Sequence, residues 1–278
     1  MQVIRDLPEI TVEYEGEALT EGRYCAGERT AVVTIRERNF REEDVEFHIT
    51  NTEGKMPQIG EWSSSGSGDD TKHVCRVLFA EDGDYTFTAA FQDLAGNRAV
   101  YDRTDSFTID RTPPELSVVW EGGKAENEHY FAAERTAVIE VNEHNFREPR
   151  IHAEEGKDEK KEKRELQTVW EKKEDVYRTR IAFREEGRFR LEIEGTDLAG
   201  NSLPAYDSKE FVIDETPPQL EIAGVGDQTA NKGEVCPVIR WHDENPDRIG
   251  KEVRLWGGRN GKPQLKSREN RLEDGAEI

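Results

Sequence analysis

The sequence predicts an all-β chain built as tandem antiparallel β-sandwiches. Three observations predict it: the chain repeats itself at about the length of one small domain, apolar and polar residues alternate over short stretches, and turn-forming residues separate those stretches. The repeat is plainest at "DLAGN", which occurs as Asp93-Leu94-Ala95-Gly96-Asn97 and, 104 residues later, as Asp197-Leu198-Ala199-Gly200-Asn201. Fourteen residues past each aspartate come "FTIDRTPPELSV" (Phe107–Val118) and "FVIDETPPQLEI" (Phe211–Ile222). Upstream, "ERTAVVTIRERNF" (Glu28–Phe40) matches "ERTAVIEVNEHNF" (Glu134–Phe146) at an offset of 106. "CPVIRWHDENP" (Cys236–Pro246) opens a third copy, and "VIRDLPEITV" (Val3–Val12) reads as the tail of a preceding linker. The expected units are therefore 1–110, 111–214 and a partial third at 215–278, whose 64 residues are too few for a whole copy. The chain reads as cut from a longer array. Internal repeats outrank other signals, because missing them misassigns the fold.

Each element follows from side-chain parity. "EITVEY" opens the first unit. In "AVVTIRE" the residues Ala31, Val33 and Ile35 share a face, matched by Ala137, Ile139 and Val141 and then by Pro237, Ile239 and Trp241. "DVEFHIT" groups Val45, Phe47 and Ile49. "VCRVLF" groups Cys75, Val77 and Phe79, matching Thr179, Ile181 and Phe183. "YTFTAAF" groups Tyr85, Phe87, Ala89 and Phe91, matching Phe189, Leu191, Ile193 and Gly195. A last strand carries Phe107 and Ile109, matching Phe211 and Ile213. Period-two alternation puts one face in a core and the other in water. Six or seven such strands per roughly 100 residues indicate a sandwich of immunoglobulin type. Val235–Trp241 and Val253–Trp256 are the strands expected of the third copy.

Asp93 continues the inward series of its strand, so "DLAGN" is expected to be the hairpin between the last two strands. Gly96 and Gly200 supply positive φ, Asn97 and Asn201 tolerate it, and the carboxylates of Asp93 and Asp197 can accept backbone N–H bonds. Next come the joints. Pro113-Pro114 and Pro217-Pro218 fix φ and extend their predecessors, which makes stiff, short connectors. Tandem domains on stiff joints make a rod. Asp93, Asp110, Asp197 and Asp214 are expected at domain ends, where an oxygen-rich cage would suit calcium, although no spaced D-x-D-x-D run is present. No other cofactor is implied.

Composition narrows function further. A net charge of −21 disfavours nucleic acid, which needs a basic footprint. It leaves room for cations and basic partners. No apolar run approaches the ~20 residues of a membrane span, and "MQVIRDLP" lacks the apolar core of an export signal. The histidines His48, His73, His129, His144, His152 and His242 form no zinc-type spacing, and no nucleophile or phosphate-loop motif occurs. The chain therefore reads as non-catalytic. Cys25, Cys75 and Cys236 follow no repeat pattern; Cys25 and Cys75 are either bridged or buried free thiols.

"DLAGN…FTIDRTPP", the "RNF" after a central strand and "EDGDYTF" before the turn resemble bacterial Ig-like repeats. Such repeats occur in large cell-surface and secreted proteins, often of Gram-positive gut bacteria, and in adhesins. The resemblance covers nearly the whole chain and implies an extracellular setting. Glu81-x-Gly83-x-Tyr85-x-Phe87 also resembles the D-x-G-x-Y-x-C stretch of immunoglobulin domains. Phe87 stands where the disulfide Cys would be, and Phe189 replaces the Tyr, so neither that disulfide nor a uniform tyrosine corner carries over.

Between the matched cores two segments differ, at residues 51–73 and 153–177, each with one tryptophan, Trp62 and Trp170. Each tryptophan either covers an open sandwich edge or sits in a binding loop. The mixed-charge run Glu154–Lys173 has helical i,i+4 spacing and could form a short helix. Two functions follow. One is a stiff extracellular spacer that presents neighbouring domains of a longer protein. The other is an adhesin-type module that contacts a host protein or glycan through the two variable loops.

Overall fold

The computed structural model describes residues 7–123, 125, 129–157, 160–224, 226, 232 and 238–245. They group into two compact units. The first takes in the residues up to Glu121, with Thr136–Phe183 and Phe189–Glu210. The second takes in Gly122–Arg135, Arg184–Arg188 and the residues from Phe211 onward.

The first repeat lies in the first unit. Its strands are β1 (Glu9–Gly16), β2 (Tyr24–Cys25), β3 (Arg29–Arg36), β4 (Val45–Asn51), β5 (Gln58–Ile59), β6 (Ser63–Ser65), β7 (Lys72–Phe79), β8 (Gly83–Gln92), β9 (Arg98–Val100) and β10 (Asp105–Ile109). One sheet runs β1-β3-β7-β5, with β6 on β7; the other runs β2-β10-β8-β4, with β9 on β8. All pairs are antiparallel except β2 with β10. Register aligns the apolar parity across strands, pairing Val12 with Val33 and Val33 with Cys75. Ala31, Val33, Ile35, Val77, Phe79, Phe87, Ala89 and Ile109 are fully buried. Each large apolar side chain so buried contributes about 1.5–3 kcal/mol. The last strand is broken in two: Tyr101 donates its N–H to Ala89 O before β10 resumes on β8.

Local chemistry explains several departures from a standard sandwich. The Tyr85 hydroxyl donates to Glu81 O at 2.9 Å, a tyrosine-corner bond that Phe189 in the second repeat has no hydroxyl to make. Cys25 and Cys75 are free and buried, Cys25 on β2 and Cys75 on β7, and each thiol donates to a backbone carbonyl. Burial pushes the Cys75 thiol pKa up, which holds it in the unreactive form.

The second repeat supplies β11 (Glu115–Gly122), β12 (Tyr130–Phe131), β13 (Arg135–Asn142), β14 (Arg150–Lys157), β15 (Lys160–Glu165), β16 (Glu171–Lys173), β17 (Val176–Phe183), β18 (Gly187–Glu194), β19 (Tyr206–Asp207) and β20 (Phe211–Ile213). Within the first unit one sheet runs β11-β13-β17-β16, and another places β18, β14 and β15 side by side, with β19 on β18. Ala137, Ile139, Val141, Ile151, Ala153, Leu191 and Ile193 fill the core. Within the second unit β12 pairs parallel with β20, as β2 does with β10. There Phe131 meets Phe211 edge to face at 6.1 Å, and the Arg135 guanidinium lies 3.8 Å above the Phe131 ring.

The short helix that Glu154–Lys173 could form is not found among the described residues. β14 and β15 make a hairpin that pairs Glu154 with Lys163 and His152 with Glu165. Core packing decides this. Ile151 and Ala153 are each 1% exposed, and their two-residue spacing reaches one core only from a strand. The charges then face outward in opposite-sign pairs, Lys161 with Glu154 at 3.0 Å and Arg164 with Glu155 at 3.1 Å.

In the second unit β21 (Gln219–Ala223) pairs antiparallel with β22 (Val238–His242). The strand expected over Val235–Trp241 thus starts at Val238 among the described residues. Val235–Pro237, with Cys236, and the strand expected at Val253–Trp256 lie outside the described residues. The chain forms tandem immunoglobulin-like antiparallel β-sandwiches. Among the described residues no helix is long and apolar enough to cross a membrane.

Candidate metal centre at a joint between repeats

The "DLAGN" turn is built on its aspartate carboxylate in both repeats, with one backbone donor shifted by a residue between them. Asp93 Oδ1 accepts the N–H groups of Ala95 (2.9 Å) and Asn97 (2.7 Å), while Asn97 Nδ2 donates to Asp93 Oδ2 at 2.7 Å. Asp197 Oδ1 accepts Gly200 N (2.7 Å) and Asn201 N (2.9 Å), and Asn201 Nδ2 donates to Asp197 Oδ2 at 2.8 Å. Gly96 and Gly200 take φ of +87° and +103°, a region costly for any residue with a Cβ. The amide of Asn97, with the backbone donors behind it, holds the Asp93 carboxyl below the usual carboxylate range.

The second turn also joins the repeats. Asn201 Nδ2 donates to Asp110 O at 2.8 Å, and Asn145 Nδ2 donates to Asp110 Oδ2 at 2.6 Å. Asn145 is itself held, since its N–H donates to Glu143 Oε1 at 2.6 Å and its carbonyl accepts Leu198 N at 2.9 Å. On the linker side, Asp82 accepts Arg111 N at 3.1 Å and the Thr112 hydroxyl at 2.8 Å. Glu186 does the same at the next linker, accepting Glu215 N and the Thr216 hydroxyl. The prolines Pro113-Pro114 and Pro217-Pro218 thus follow residues clamped by the preceding repeat.

Three carboxylates converge at the first joint. Asp110, which follows β10, Glu143, which follows β13, and Asp197, which opens the turn after β18, each bring an oxygen within 4.8 Å of the others. They are 6%, 7% and 1% exposed. No ion pair links them to Lys or Arg among the described residues. Burial pushes Glu143 up to about 7, with Asp110 and Asp197 adding like-charge repulsion. Burial likewise raises Asp110. Buried negative charge without a cation is costly. An all-oxygen donor set is what a hard divalent ion such as calcium takes, with water completing its 6–8 ligands.

Of the four aspartates expected to ligate calcium, the joint unites Asp110 and Asp197. Asp93 stays in its own turn, on the first repeat. Asp214 lies in the second unit, where its Oδ2 accepts Asn245 Nδ2 at 2.8 Å and Asn245 N donates to Asp243 Oδ1. Sequence reasoning missed Glu143. Two signals mark it: it continues the inward parity of Ala137, Ile139 and Val141, and an acid stands two residues before an asparagine in all three copies, at Glu37, Glu143 and Asp243.

The two tryptophans pack against the repeats' own aromatics. Trp62 lies 4.9 Å from Phe40, which stacks on His73 at 4.1 Å. Trp170 lies 5.3 Å from Phe146, which stacks on Tyr177 at 3.8 Å. The "NF" phenylalanine is therefore the filling between an edge tryptophan and a ring on the neighbouring strand.

No family model matches the sequence, and no curated protein matches it. Solved structures do. An I-band fragment of titin matches at 12% identity and a TM-score of 0.34, covering 74% of this chain and 65% of that one. A purple acid phosphatase from yellow lupin (Lupinus luteus) seeds matches at 12% identity and a TM-score of 0.23, covering 77% and 43%. Native alpha-2-macroglobulin from Escherichia coli matches at 12% identity and a TM-score of 0.22, covering 84% and 78%. The chain spans less than two thirds of the first two. Likenesses this slight assign it no activity and no partner. Its class, tandem immunoglobulin-like sandwiches, rests on its own strand order and register.

Proposed function

We propose that this chain is a non-catalytic spacer segment of a bacterial cell-surface or secreted protein, and that its first joint is fixed by a calcium ion. One observation carries the reading: Asp110, at the end of one repeat, is gripped through side chain and backbone by Asn145 and Asn201 of the next. A joint made from both repeats resists bending. The carboxylates of Asp110, Glu143 and Asp197 would hold the ion, which would cancel their mutual repulsion. The extracellular setting is supported by the resemblance of "DLAGN…FTIDRTPP" to bacterial Ig-like repeats. The packing of Trp62 and Trp170 favours the spacer over an adhesin-type contact through the variable loops.

Calorimetric melts of the chain in calcium and in chelator test the ion. A higher midpoint in calcium is expected, since a ligand that binds only the folded form stabilises it by mass action. Coincident melts would remove calcium from the reading. Small-angle scattering of the chain and of Asn145→Ala tests the joint, with a broader range of conformers expected in the variant. Identical profiles would remove the fixed joint.

A further inference from the structure

Strand β6 sets a serine against a histidine. Ser64 and His73 are direct cross-strand partners on β6 and β7, and Ser64 Oγ lies 2.8 Å from His73 Nδ1. His73 is 7% exposed, and its other ring nitrogen, Nε2, lies 2.9 Å from Glu37 O. That contact fixes the tautomer. A backbone carbonyl can only accept, so Nε2 carries the proton of the neutral ring and Nδ1 keeps its lone pair. The Ser64 hydroxyl is therefore the donor to Nδ1. The ring is held in place, because Phe40 stacks on it at 4.1 Å and Trp62 lies 4.9 Å from Phe40. Ser64 itself is exposed, as are Ser63 and Ser65 beside it, and the Ser63 hydroxyl donates to Val74 O at 3.4 Å instead. An exposed hydroxyl on a buried, oriented imidazole is the arrangement of a nucleophile with its general base.

The second repeat shows that packing does not demand this pair. There Tyr177 stacks on Phe146 at 3.8 Å, as His73 stacks on Phe40, and its cross-strand partner is Lys172. A ring with no basic nitrogen serves the stack equally.

We propose that Ser64 is an acyl-acceptor site, with His73 as its general base, and that it takes the acyl group of an activated ester or thioester. Ser64 Oγ bonds to the acyl carbon while its proton passes to His73 Nδ1. The bond from that carbon to the leaving oxyanion or thiolate then breaks, and the leaving group takes the proton from Nδ1. The products are an ester on Ser64 and a free alcohol or thiol. A positioned base contributes roughly 10²–10⁴-fold to the rate of such a step. The site attaches one group and does not turn over, so it goes beyond the spacer reading without resting on it.

Treatment of the full chain with p-nitrophenyl acetate tests the proposal, with peptide mapping by mass spectrometry to locate the acetyl group. Ser63 and Ser65, also exposed and on the same strand, are the internal references. Ser64 is expected to acetylate at least tenfold faster than either. His73→Tyr copies Tyr177 and keeps a ring against Phe40; it is expected to bring Ser64 down to the rate of its neighbours while circular dichroism still shows a folded chain. Equal rates at the three serines overturn the proposal. So does a preference for Ser64 that survives His73→Tyr, or an acetyl group found on His73 and not on Ser64. The comparison among the three serines needs no variant and decides the matter even if His73→Tyr fails to fold.

Discussion

Glu143 shows how one side chain can set the behaviour of a joint. It sits where an inward-facing series ends, so the backbone that buries Val141 buries a carboxylate next. Its pKa is pushed up to about 7, above its unfolded value, by burial first and by two aspartates after that. The linkage sign follows: the folded form favours the protonated acid, so this group's contribution is fully present below the ordinary glutamate range and is lost as pH rises through about 7. In chelator, the melting midpoint is therefore expected to fall between pH 5 and pH 8, and calcium is expected to shrink that fall. Glu143→Gln should raise the midpoint at pH 8 in chelator and reduce the gain from calcium; differential scanning calorimetry reads both. Asp93 has the opposite role, as an acceptor for backbone donors at a turn. Asp93→Ala is expected to cost about 0.5–2 kcal/mol by denaturant unfolding, the range for loss of a side-chain cap. The turn role was legible in "DLAGN" itself, because Asp, Gly and Asn each have a local reason to stand there. Glu143 was not, because one acid among 60 has no local signature until the strands bring Asp110 and Asp197 to it.

Strands were the most legible elements. Parity placed Ala31, Val33, Ile35, Phe87 and Ala89 in one core, and all are fully buried. Parity works here because each sheet has one wet face and one dry one. The β14–β15 hairpin was less legible, and its mixed-charge run also allowed a short helix. In Glu154–Lys173 the glutamates and lysines show i,i+4 spacing, yet the same run also allows the cross-strand pair of Glu154 with Lys163. The deciding residues, Ile151 and Ala153, both lie just before its start. Ile151→Ala should cost about 2–5 kcal/mol in urea unfolding, as for other fully buried isoleucines. A loss well under 1 kcal/mol would mean the hairpin does not depend on its inward residues. The broken last strand, β9 then β10, was also not foreseen, since "VYDRTDSF" carries no proline or glycine to mark the interruption.

Over the whole molecule, stability is expected to be uneven. Among the described residues β21 and β22 make a two-stranded sheet with Leu220 66% and Ile222 56% exposed, whereas the first repeat closes two sheets over a core. Two strands alone are marginal in water. Limited proteolysis should therefore cut at β21–β22 before it cuts within β1–β10, as mass spectrometry of timed digests would show. The first two repeats also each end on a strand bonded parallel to a short early strand. Thr108 and Asp110 donate to Arg23 O and Cys25 O, and Val212 and Asp214 donate to His129 O and Phe131 O. Under tension applied along the chain, β10 and β20 are drawn lengthwise past β2 and β12. Bonds running across the direction of pull are loaded together in shear, whereas those of a hairpin peeled from its end open one at a time. Resistance to force is a matter of unfolding rate more than of equilibrium stability. A repeat of ordinary thermal stability can on that account hold a load, and the aspartate that closes each shear pair, Asp110 or Asp214, is the same residue that the next repeat grips.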